Sequence, residues 1–203
     1  MEEVLDLLKE VGSIASCHGG IALSEILGKK IKLSVPAIDL IPSRQRPESI
    51  NVKQTGLAVF CKILVGLEGE VAFILDEANA YKLITSSYKM KNESSSIGVI
   101  TEMGLSIIKE VGNVVIGSYL NALSLMLKRM IIPPMPTLIS GSIDDILDIV
   151  FSPYGQDDPS YLIEAVFQEL GSGLKGSFFL VLTPYAAKDI EESCRKTLED
   201  LRK

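Results

Sequence analysis

The 203-residue chain has no tryptophan, one histidine (His18) and three cysteines, Cys17, Cys61 and Cys194. The cysteines are odd in number and far apart, so they form neither a metal-ligand cluster nor a disulfide framework. A reducing cytoplasm is the expected location, and no metal site of the chain's own is expected. Basic runs are also missing. Lys and Arg are scattered and the formal net charge is −6, which argues against a nucleic-acid or anionic-membrane surface. The most apolar stretch, residues 105–127, is interrupted by Lys109, Glu110 and Asn113. Those residues are costly in lipid, so it reads as a core helix without membrane insertion. The opening MEEVLDLLKE is acidic and amphipathic, unlike a signal peptide. The 47% hydrophobic content is enough for a sizeable core.

That interrupted stretch carries the most informative pattern. Ser106, Glu110 and Asn113 are spaced four and three residues apart, which puts them on one helical stripe at about 100° per residue. Gly117, Leu120 and Ser124 continue it, while Leu105, Ile108, Val111, Val115 and Leu123 form the opposite, apolar side. Such a helix presents a carboxylate and an amide one turn apart. The pattern recurs at an offset of 100: Asp6, Glu10, Ser13, Cys17 and Ser24 stand where Ser106, Glu110, Asn113, Gly117 and Ser124 do, and Pro36 matches Pro136. Alone, Glu110 and Asn113 would read as a solvated helix face; the recurrence argues for function.

Along the chain, residues 2–27 read as a helix ended by Gly28, 31–38 as a strand and 42–56 as a loop. Residues 57–65 and 70–75 form a hairpin, followed by a helix to about 88. Residues 89–96 are a polar linker whose serines are expected to cap the next helix, 97–129. A strand over 131–139, a short helix over 143–150 capped by Ser142, a loop over 152–160 and a second hairpin (161–170, 174–182) follow. A last helix opens with Thr183 and Pro184. The hairpin turns match at an offset of 107, Gly66 with Gly173 and Gly69 with Gly176. The expected fold is α+β in a single domain, 1–203. Internal repeats of about 1–88 and 97–203, each helix-strand-strand-strand-helix, would be related by a pseudo-twofold, with helices covering a mainly antiparallel sheet.

Ser or Asp, three residues, Glu, two residues, Asn, then twenty-two residues to Pro resembles the signature of the CheC/CheX/FliY family, phosphatases of the chemotaxis response regulator CheY. Two copies resemble the CheC branch more than CheX, which carries one motif, and no further flagellar-switch domain of the FliY kind is expected. The resemblance implies hydrolysis of the aspartyl phosphate of phosphorylated CheY. In that reading Asn113 holds the attacking water, since an amide both accepts and donates, much as a glutamine does in GTPases. Glu110 docks the regulator through its lysine. The Mg²⁺ belongs to the regulator. Ser106, Asp6, Pro136 and Pro36 support the two sites, and Ser13 in place of an amide makes the Glu10/Ser13 site degenerate. CheD is the second expected partner. The alternative function is a catalytically weak module that sequesters phosphorylated CheY or regulates the CheD deamidase.

The remaining residues have plainer readings. His18 is expected in the core or at its boundary. Cys17 is a small residue for close approach and not a reactive thiol. Asn121 is a surface amide near the stripe.

Overall fold

The computed structural model describes residues 2–34, 36–42, 51–87, 100–151 and 159–201. The elements among them run α1 (Glu2–Leu27), β1 (Ile31–Leu33), β2 (Ala37–Pro42), β3 (Thr55–Lys62), β4 (Gly69–Asp76), α2 (Glu77–Ser87), α3 (Glu102–Leu127), β5 (Thr137–Ser142), α4 (Ile143–Phe151), β6 (Pro159–Glu169), β7 (Lys175–Leu182) and α5 (Pro184–Leu201). The fold is α+β, as the sequence suggested.

Side chains alternate across a strand, and here both faces are apolar. On β4, Val71, Phe73 and Leu75 enter one core, and Ala72 and Ile74 the other; on β7, Phe178, Leu180 and Leu182 oppose Phe179 and Val181. Strands apolar on both sides belong in the middle of a covered sheet. The observed order is β1-β6-β7-β4-β3-β5, with β2 also on β6, and each of these pairs is antiparallel. Helices α1 and α3 pack together on the larger core with α2 and α5, and α4 covers the smaller one. Phe73, Phe167 and Phe178 meet at the centre of the larger core with ring centroids 5.2 to 5.5 Å apart.

The order of strands reads alike from either edge. The β3–β4 and β6–β7 hairpins meet through β4 and β7. The strands that follow α1 cross to β6, and the strand that follows α3 crosses to β3. The helices obey the same exchange. A Cβ built on Gly12 of α1 would lie 2.6 Å from Ile163 of β6, and one on Gly112 of α3 would lie 2.6 Å from Val59 of β3. Both glycines mark a close approach of helix to sheet.

Several boundaries differ from the sequence reading. The strand expected over 31–38 is two strands. Pro36 has no N–H to give a ladder, and Ser34 bridges the break. Its N–H donates to the Val166 carbonyl (2.8 Å), and its Oγ accepts from Val166 N–H (2.9 Å). Strand β2 reaches Pro42 and β3 begins at Thr55, so the loop is shorter at both ends; residues 43–50 between them lie outside the described residues. The helix expected over 97–129 begins later, because Thr101 caps it: its Oγ1 accepts from Gly104 N–H at 3.2 Å. The linker at 89–96 lies outside the described residues, as do 152–158 of the expected loop. The strand expected over 131–139 starts only at Thr137, after the run of prolines at 133, 134 and 136, with a single earlier bridge between Ile132 and Val65. The caps read from Ser142 and Thr183 hold, accepting from Asp145 and Ala186 N–H at 3.1 Å each. Helix α4 adds an element to the second half that a strict five-element unit lacks.

Helix α3 is long and apolar enough to cross a membrane by length and composition, and half of its most apolar window is buried inside the fold. A core helix passes the same test.

Candidate functional site

The site is built on α3. Ile107, Ile108, Val111, Val115, Tyr119 and Leu123 are buried, and Gly112 seats the helix on Val59. With that side committed to the sheet, Ser106, Lys109, Glu110 and Asn113 face solvent, and all four are exposed. Positions three and four apart are neighbours on a helix, so the four form one compact quadrilateral. Together with Met135 and Pro136 they line an open, shallow depression. Pro136 is buried and forms its floor edge, while Met135, on the segment before β5, is 81% exposed. Among the described residues, no hydrogen bond or ion pair engages the side chains of Ser106, Lys109, Glu110 or Asn113. Their donors and acceptors are free for something else.

The stripe does not continue as far as the sequence suggests. Leu120 is buried and Ser124 half-buried. Steps of three and four average 3.5 residues, and a straight helix drifts about 20° per seven residues from such a repeat. By Leu120 the stripe has rotated towards the neighbouring elements. Ser124 has an architectural role: its Oγ donates to the Arg129 carbonyl at 2.6 Å, as Ser24 Oγ does to the Lys29 carbonyl at 2.5 Å. Gly117 is exposed, with nothing near a built Cβ.

The first copy is arranged similarly on α1. Asp6 and Glu10 are exposed, Ser13 is half-buried and Pro36 is buried, with its ring 3.7 Å from the Cβ position of Gly12. The structure thus brings Ser106, Glu110, Asn113 and Pro136 together, and places Asp6, Glu10, Ser13 and Pro36 on the other long helix and the segment after β1. His18 is exposed, contrary to the core or boundary position expected of it. Small residues carry the contact there instead: Ala15 and Ser16 are buried, and a Cβ on Gly19 would lie 3.6 Å from Val115 and from Phe178. The imidazole is left on the outside of α1. Cys17 and Asn121 are exposed. Among the described residues no three His, Cys, Asp or Glu side chains are grouped to hold a metal.

Lys109 and Met135 line the depression without having been singled out from sequence. Lys109 was findable, because Lys9 repeats it at the same offset of 100 as Glu10 and Glu110. Met135 had only its position before Pro136.

Residues 103–140, which contain all six lining residues, match the CheC-like family model. Over that segment the chain resembles the CheC-like family. It is 30% identical over 138 residues, 66% of this chain, to the CheY-P phosphatase CheC of Bacillus subtilis (strain 168), and the match spans 65% of that relative, a little under two thirds of its length. The fold is that of FliY from Thermotoga maritima (TM-score 0.79, 23% identity, 97% of this chain and 98% of that one). It is also similar to the fold of a chain in the CheX-CheY-BeF3-Mg²⁺ complex from Borrelia burgdorferi (TM-score 0.56, 14% identity, 85% of this chain and 96% of that one).

Proposed function

We propose that this protein hydrolyses the aspartyl phosphate of a CheY-type response regulator, with Asn113 positioning the water and Glu110 docking the partner. The observation that carries the reading is the free, exposed quadrilateral on α3. A carboxylate and an amide one turn apart, unpaired and at the lip of an open depression, suit a substrate that brings its own cleft. A buried small-molecule pocket is not needed when the reacting group sits on another protein. A relative 30% identical over 138 residues is a CheY-P phosphatase, and a chain of the same fold has been solved with CheY.

An acyl phosphate needs an in-line water and stabilised charge more than it needs a general base. The Asn113 amide accepts a hydrogen bond from water and holds it on the phosphorus axis. The regulator supplies its own Mg²⁺ as part of the substrate. Gly112, pressed on Val59, fixes the height of the helix under the amide, and misplacement by about 1 Å can cost roughly 100-fold. On α1 the hydroxyl of Ser13 replaces the amide and is half-buried, so that site is read as weak.

The test is dephosphorylation of a phosphorylated CheY-type regulator by variants. Asn113→Ala is expected to lower turnover by about 100-fold and Ser13→Ala to leave it unchanged. Glu110→Ala is expected to act chiefly on KM, because charge pairs across an interface set register and complex lifetime. Ser13→Asn is expected to raise turnover. Wild-type turnover in Asn113→Ala would overturn the assignment. If binding of the phosphorylated regulator also persisted, a sequestering module, or one that regulates CheD, would replace the enzyme.

A further inference from the structure

Glu110 poses an electrostatic problem under the proposed function. Its carboxylate must come close to a phosphoryl group that is itself negative, and like charges in a water-poor contact repel strongly. A cation in the same depression would offset that repulsion, and the structure contains one. We propose that Lys109 is a further substrate-contacting residue of this site, its ammonium directed at the phosphoryl oxygens while Asn113 holds the water. The inference rests on the function proposed above and extends it.

Four observations support it. Lys109 is the one cationic residue among those lining the depression with Ser106, Glu110, Asn113, Met135 and Pro136. It is exposed, and no hydrogen bond or ion pair engages its side chain among the described residues. It is not neutralised by adjacent Glu110, because consecutive helical residues point about 100° apart. It lies four residues before Asn113 and three after Ser106, so its stem runs beside the amide on the same patch. By contrast, the cation at the far end of this helix is consumed structurally: Arg129 is held by Asp189, Ser193 and the Gly66 carbonyl. The chain therefore leaves a long, flexible cation unpaired beside the proposed reacting group.

The role makes a demand that a merely solvated lysine does not. A point charge facing the phosphoryl oxygens is replaced in part by arginine and not by glutamine, and its contribution is screened by salt. With a phosphorylated CheY-type regulator as substrate, Lys109→Gln is expected to lower kcat/KM by about tenfold and to flatten its dependence on ionic strength. Lys109→Arg should recover most of the loss. Lys9→Gln, the same change on α1, should leave both readouts at wild-type values. Lys109→Gln within about twofold of wild type, or an equal loss in Lys9→Gln, would overturn the proposal. Asn113→Ala, assayed alongside, separates the two readings: loss there with full activity in Lys109→Gln removes only the role of the lysine. Activity retained in both removes the phosphatase reading.

Discussion

Individual residues in this chain diverge most where burial meets charge. Glu70 on β4 is 2% exposed, lies on the face covered by α4 and has one carboxylate oxygen without a hydrogen-bond partner among the described residues. Burial pushes its carboxyl up to about 7, and Lys62, its partner across the β3–β4 pair, pulls it back only partly. A carboxyl whose folded pKa lies above its unfolded value binds an extra proton in the native state. Stability from this group therefore falls as pH rises from the ordinary 4.5 to about 7, and the full penalty persists above that. Glu70→Gln should match wild type at about pH 4.5 and be the more stable at about pH 8, measured by urea denaturation at both. An advantage confined to acid would contradict the burial argument. Glu169 shows the opposite case. Its carboxylate accepts from Gly171 and Ser172 N–H and from the Ser172 hydroxyl, which hold it down at about 2. Its contribution is complete above the ordinary 4.5 and is lost as pH falls from there through about 2.

At the scale of elements, the two long helices end by the same construction with different residues. Gly28 follows α1 at φ +62°, and Lys128 follows α3 at φ 49°. In both, the next residue's N–H returns to the serine carbonyl, Lys29 to Ser24 and Arg129 to Ser124, at 3.1 Å. Glycine meets that left-handed backbone without a Cβ penalty, and lysine does not. Lys128→Gly is expected to stabilise the protein by about 1 kcal/mol, seen as a higher denaturation midpoint at unchanged slope. A lower midpoint would mean that the lysine side chain contributes more than its backbone costs. These elements also show what a sequence can reveal. Helix α1, both hairpins and the caps Ser142 and Thr183 were legible because periodicity and capping are local. The exposed stripe that carries Glu110 and Asn113 was legible because the spacing repeats. The start of α3 at Thr101 was not, since the serines just before it are equally good caps. Met135 was not, because lining a depression depends on how two segments meet, whereas Lys109 could be found from Lys9 at the offset of 100. The pairing of strands was least accessible: alternation tells which face is buried and is silent about which neighbour supplies the ladder.

Taken whole, the molecule is held by reciprocal crossing. We read residues 1–88 and 97–203 as two copies of one unit, motivated by the matched offsets and by a sheet order that is alike from both edges. Neither copy closes on itself. Without the second, β1 and β2 lose β6; without the first, β5 loses β3. Braces cross in the same sense. Arg129, after α3, reaches the β3–β4 turn at Gly66, and Lys29, after α1, lies 3.8 Å from Glu169 at the β6–β7 turn. Each fragment expressed alone is therefore expected to be unfolded or self-associated, and the two mixed should restore one compact species by size exclusion and hydrogen exchange. Two independently folded monomers would refute the reading.

The same crossing sets a timetable for synthesis. Ala37 pairs with Glu164, so β2 waits for about 127 residues of further chain before its partner exists. At roughly 5–20 residues per second, that is a delay on the order of 6 to 25 s. During that interval the ribosome displays an apolar strand, Ala-Ile-Asp-Leu-Ile, with an open edge. Contacts so distant in sequence also slow the search once the chain is free. The nascent protein is thus most exposed to misassociation before its second hairpin emerges, and a chaperone that shields extended apolar segments would act on this chain early and release it late.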